Sequence, residues 1–125
     1  MKTPDWMKEL STKVCLENNH LPAKITCRRR RDTYSGGTYC QGGTIKLNVG
    51  RSKKDSKVVL LHELAHYFMD SLMEGHTERF WRKCWELYQK YEVDLRYARW
   101  REKTYRAGAE KVYRSMHDAM PHKVK

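Results

Sequence analysis

The chain first shows apolar residues at helical spacing. From Pro4 to Asn18, Trp6, Leu10 and Val14 recur three to four residues apart, with Leu16 beside them. Proline suits the first turn of such a helix, where its missing N–H would have no partner. Asn18-Asn19-His20 and Pro22 close the element. Between Ala23 and Val49 the period shortens to that of strands. Ile25 to Asp32 is the first candidate and Thr38-Tyr39-Cys40 a second. Thr44 to Val49 gives the clearest signal, because Ile45, Leu47 and Val49 alternate with polar residues. Tyr34-Ser35-Gly36-Gly37 and Gln41-Gly42-Gly43 are turn-forming stretches. Two or three antiparallel strands packed against helices are expected.

A polar loop from Gly50 to Ser56 leads into the next helix, with Ser52, Asp55 or Ser56 as its cap. Val58-Val59-Leu60-Leu61 and then Leu64, Ala65, Tyr67, Phe68 and Met69 make this helix apolar on nearly every side as far as Asp70. Such a helix belongs inside a fold. Ser71 to Gly75 is a connector. The following helix starts near His76 or Thr77, with Thr77 a fair N-cap, and carries His76, Phe80, Cys84, Leu87 and Tyr91 on an inward stripe widened by Trp81, Trp85 and Tyr88. A last helix is predicted from Asp94 to about Met120, with Ala107-Gly108-Ala109 as a place for close packing or a bend. The pattern is α+β: a single domain over 1–125, with 121–125 a flexible basic tail.

Charge changes this picture more than composition does. The 125 residues carry a net +11. Residues 1–60 hold 13 basic and 5 acidic groups, net +8, and residues 94–125 hold 9 and 4, net +5. Residues 61–93 hold 4 and 6, net −2. Positive flanks around a nearly neutral middle suit a polyanion such as DNA or RNA. Arg28-Arg29-Arg30-Arg31 is the densest run, with Arg51, Lys53, Lys54 and Lys57 as possible additions. Alternate residues of a strand face opposite ways, so this run needs an edge strand or a partial loop. Cys15, Cys27, Cys40 and Cys84 show no C-x-x-C spacing. They read as free thiols in a reducing compartment, with Cys27 and Cys40 facing across a hairpin as the alternative. The N-terminus lacks the apolar stretch of a signal peptide and no run is long enough for a membrane span, so a cytoplasmic protein is expected.

The chemistry concentrates in His62-Glu63-Leu64-Ala65-His66. Residues four apart share a helix face, so both imidazoles can reach one ion, and Glu63 stands about 100° round the helix. This is the pattern of a zinc-peptidase helix, with the glutamate taking a proton from metal-bound water. Burying two imidazoles and a carboxylate without a partner is costly, and a metal removes that cost. Catalytic zinc takes three protein ligands and leaves one position open. His76, ten residues beyond His66, is the leading third ligand. Asp70, four residues after His66, is an alternative ligand or an acceptor for a ligating imidazole. Glu74 is a further alternative, followed by His117 and His122, while His20 reads as a helix-end residue.

Together with Gly75-His76-Thr77-Glu78-Arg79-Phe80-Trp81, this motif resembles the SprT-like family of zinc metallopeptidases, whose members include the protease domain of Spartan, a DNA–protein crosslink protease. The strand Gly43 to Asn48 sits where that family places a strand before its metal helix, and the resemblance covers roughly residues 5 to 95. It implies a zincin-like fold, His62, His66 and His76 as ligands of Zn2+, and Glu63 as catalytic base. The expected reaction is hydrolysis of peptide bonds in a protein or peptide, including proteins held on nucleic acid. Tyr67, Tyr97, Tyr105 or a histidine is expected to stabilise the tetrahedral oxygen. The strand at Ile45–Asn48, if at the cleft edge, would hold substrate by β-augmentation. Two other classes remain open: a nucleic-acid-binding protein with a structural zinc, and a zinc hydrolase acting on a non-peptide bond.

Overall fold

The computed structural model describes residues 3–29, 36–40, 42–49, 52–69, 76–105 and 108–117, with backbone alone at 29, 36, 40, 104, 105 and 117. The chain divides into two compact units, Met1–Gly75 and His76–Lys125. The elements expected of an α+β chain are those observed. The tail at 121–125 lies outside the described residues.

The first unit holds α1 (Asp5–Glu17), β1 (Lys24–Arg29), β2 (Gly36–Cys40), β3 (Thr44–Val49) and α2 (Lys53–Met69). Helix α1 buries Met7, Ser11, Val14 and Cys15, a stripe rotated from the expected Trp6 and Leu10. Trp6 instead lies under the Lys53 ammonium, 4.9 Å from its ring centre. The helix stops where Asn19 turns left-handed at φ 60°, with the Asn19 N–H on the Leu16 carbonyl at 3.1 Å and the His20 N–H on that of Cys15 at 2.9 Å. These two bonds satisfy carbonyls that a helix end would otherwise leave open.

The sheet has the order β1-β3-β2. Strands β2 and β3 are antiparallel, with Tyr39 opposite Ile45. Gly42 and Gly43 in the turn between them have φ of 96° and 89°, which side chains other than hydrogen resist. Strand β1 corrects the expectation of a purely antiparallel sheet: it pairs parallel to β3, with Cys27 opposite Leu47. The physical reason lies in burial. Ile45 and Leu47 are buried, each contributing roughly 1.5–3 kcal/mol, so β3 takes the centre. A strand entering Arg28-Arg29 is tolerated only at an edge. Strand β1 is described from Lys24 to Arg29, and the rest of the expected strand to Asp32, with Arg30 and Arg31, lies outside the described residues, as does Arg51. Because β3 separates β1 from β2, no Cys27–Cys40 hairpin forms, and Cys27, like Cys15 and Cys84, is a free thiol.

Helix α2 packs on β2, β3 and α1. Ser52 is its cap: its Oγ accepts from the Asp55 N–H at 3.2 Å, while Asp55 and Ser56 are buried. Every residue from Val58 to Ala65 is buried, as the sequence of this helix requires.

The second unit is helical: α3 (Glu78–Lys90), α4 (Leu95–Tyr105) and α5 (Ala109–His117). Thr77 caps α3, accepting from the Phe80 N–H at 3.3 Å. The expected aromatic stripe is its buried face. The Asp94 carboxylate caps α4 through the N–H groups of Arg96 and Tyr97. The single last helix expected from Asp94 to Met120 is two helices, parted at Gly108 with φ 94°. A straight helix of that length would extend about 40 Å and carry its distal apolar face away from cover. Folded back, α5 buries Ala109, Val112, Tyr113 and Met116 in contact with α3 and α4. The Trp85 indole N–H donates to the Ala109 carbonyl at 3.1 Å, and the Arg99 guanidinium lies 4.4 Å from the centre of the Tyr113 ring. Among the described residues, no helix is long and apolar enough to cross a membrane.

Candidate metal site

Helix α2 sets the geometry. One turn separates His62 from His66, and their ring centres stand 5.2 Å apart with planes at 65°. His62 and Glu63 are each 6% exposed and His66 is half-buried. Two imidazoles on one helix face, at the rim of a buried stretch and beside a carboxylate, form a zincin-like, metal-binding-capable motif. The donor chemistry suits zinc, which takes imidazole nitrogen readily.

Strand β2 lies against this motif. An ideal Cβ at Gly37 would stand 2.9 Å from Cγ of Glu63, so the strand backbone and the glutamate stem are in direct apposition. Further along the helix, Tyr67 covers Gly43 and lies 6.0 Å from Tyr39, ring centre to ring centre. His20 packs 5.3 Å from Tyr67 and 4.7 Å from Phe68, so it belongs to an aromatic cluster rather than to a bare helix end.

His76 opens the second unit, exposed and one residue ahead of the α3 cap. Its ring stacks on Trp81 at 5.5 Å and meets Phe80 edge-on at 5.1 Å. These aromatics fix where the imidazole stands relative to α3. Asp70, Glu74 and His122 lie outside the described residues, as does the His117 side chain. Of the tyrosines considered for oxyanion stabilisation, Tyr67 donates its hydroxyl to the Leu21 carbonyl at 2.7 Å, and Tyr97 packs beside Trp100. The Tyr105 side chain is not among those described.

The condition on which Ile45–Asn48 would hold substrate, a place at a sheet edge, is not met. Strand β3 is central and both its backbone edges are paired. Among the described residues the outer strands are β1 and β2, and β2 is the one apposed to Glu63. On the sheet face turned from the helices, Lys24, Thr26 and Arg28 of β1, Lys46 of β3 and Thr38 of β2 are exposed, with Lys46 between Thr26 and Thr38 in register. No carboxylate occurs among the described side chains of that face.

Sequence reading missed two residues. Gly37 looked like part of a turn but is a strand residue, and its role shows only when helix and strand are brought together. Glu102, 3% exposed in the second unit, accepts a hydrogen bond from the Tyr88 hydroxyl, and Cys84 Sγ lies 3.9 Å from its Oε2. Burial pushes the Tyr88 phenol well above its ordinary pKa, so it remains the donor. A buried carboxylate facing a core tyrosine is foreshadowed only by the helical spacing of Ala98 and Glu102. Burial likewise raises the Cys15 thiol, which keeps it protonated and inert.

No protein-family model matches the chain, and neither a curated protein nor a solved structure matches it.

Proposed function

We propose that this chain is a zinc-dependent endopeptidase of the SprT-like kind, its two units acting as one domain in the cytoplasm. His62 and His66 hold the ion, with His76 as third ligand, and Glu63 is the general base. The observation that carries this reading is the burial of His62 and Glu63 on one helix, a turn from His66. Zinc supplies Lewis acidity, which makes water acidic near neutral pH and polarises a carbonyl. Glu63 accepts the proton of the attacking water and returns it to the departing amine. The outer edge of β2 holds an extended substrate by backbone hydrogen bonds, and its apposition to Glu63 brings the scissile bond to the base.

The test compares zinc-loaded parent protein with Glu63→Gln on casein and on a DNA-binding protein, with and without single-stranded DNA. The parent is expected to cleave, and Glu63→Gln to bind zinc equally and not to cleave. Equal cleavage by both would end the role of Glu63.

The basic sheet face favours a second property, contact with a nucleic-acid backbone. Lys24, Arg28 and Lys46 stand there without a competing carboxylate among the described side chains. Replacing all three by glutamine should weaken DNA binding and flatten its dependence on log salt by about two to three units. An unchanged salt slope, measured by fluorescence anisotropy, would remove this face from the interface.

A further inference from the structure

Gly37 lies in β2 directly over helix α2. It is not among the glycines with positive φ, so its backbone would accept any L-residue. Space is what demands glycine. A Cβ built there falls 2.8 Å from Leu47 Cδ2, 2.9 Å from Glu63 Cγ and 3.0 Å from Val59 Cγ1, against about 3.5–4.0 Å for carbons in ordinary contact. A glycine in a strand weakens it, so one retained at this point serves a close approach.

The three neighbours differ in how they can yield. Val59 is buried and β-branched on a helix, where one χ1 rotamer dominates. Leu47 is buried in the central strand. The Glu63 stem is unbranched and bends at successive single bonds, so a methyl group at Gly37 displaces the glutamate most readily. We propose that Gly37 is a positioning residue: the strand backbone it leaves bare is the wall against which the Glu63 stem rests. The catalytic consequence rests on the reading of Glu63 as general base, while the positional claim stands on the packing alone. The two histidines take no part in the Gly37 contacts given above, so metal affinity and base position separate under substitution.

The experiment uses the full chain, with Gly37→Ala and, from the outer face of the same strand, Thr38→Ala. Four quantities are read: zinc affinity by competition with a chromophoric chelator, the 13C signal of the Glu63 carboxyl (identified by its loss in Glu63→Gln), and kcat and KM on an unstructured peptide. Gly37→Ala is expected to move the Glu63 signal, leave zinc affinity within about threefold, and lower kcat at least about tenfold with KM little changed. Thr38→Ala is expected to do none of these. An unmoved Glu63 signal, or kcat within about twofold of the parent, overturns the proposal. If Gly37→Ala fails to fold, Gly37→Ala with Leu47→Ala relieves the shortest approach. A displaced Glu63 signal in that variant upholds the proposal and a parental one overturns it. A parent without hydrolytic activity sinks the peptidase reading instead, and the carboxyl signal still decides what Gly37 does.

Discussion

Helix α2 is buried on every side from Val58 to Ala65, whereas α3 buries an aromatic stripe and leaves Arg79, Arg82 and Glu86 in water. In α3 the inward set is Phe80, Trp81, Cys84, Trp85, Leu87 and Tyr88, and two of its polar groups have evident work: Trp85 donates to Ala109 and Tyr88 to Glu102. Packing accounts for that sequence. In α2 the inward set includes Asp55, Ser56, His62 and Glu63, which an apolar core would not select. The difference separates a helix whose inward set packing explains from one that buries part of a metal-binding-capable motif.

Substitutions should divide along that line. The largest contrast pairs Glu63→Gln with Trp85→Ala. The first should lower kcat by about 10²–10⁴-fold while shifting unfolding free energy by less than about 1 kcal/mol. The second should cost about 3–5 kcal/mol in denaturant titration, because it removes a ring packed on Trp81, Tyr88 and Tyr113. Comparable stability losses in both would erase the distinction.

Chelation comes next. A ligand bound only by the folded state stabilises it by about 2.7 kcal/mol at a hundredfold excess over Kd, so zinc should raise Tm. In His62→Ala that increment should be absent. A full increment there would show that the metal sits elsewhere.

The smallest effect belongs to the second unit. Arg99, helped by Arg114, holds the Glu110 carboxyl below its ordinary value of 4.5. A carboxyl depressed in the folded state contributes stability above its unfolded pKa and loses it as pH falls through the folded value. Parent and Glu110→Gln should therefore differ by about 1 kcal/mol or less at pH 7, since Arg99 and Arg114 are substantially exposed, and converge as pH drops below about 4.5. Thermal melts across that window measure it.

Much of this architecture is legible in local pattern. The alternation in Thr44–Val49 marks the central strand, and the run Val58–Leu61 marks the buried helix, because each periodicity states which side is inward. His62, Glu63 and His66 are legible because helix spacing alone unites them. Other features depend on residues distant in sequence. Parallel pairing of β1 with β3 is a non-local choice, made by which strand can occupy the centre. The break at Gly108 is visible as a glycine, but the direction of the return is decided by Trp85, Arg99 and the α5 face. Gly37 carries no signal of its own, since its importance is the absence of a side chain where another element arrives.

The two outer strands of the sheet are unequally defended. Strand β1 carries Lys24 and Arg28, whose repulsion discourages a sister molecule from aligning beside it. Strand β2 presents Gly37, Thr38 and Tyr39, with no charge among them. Of the two outer strands, β2 is therefore the one on which intermolecular pairing would start at high protein concentration, and dilution or Thr38→Lys would relieve it.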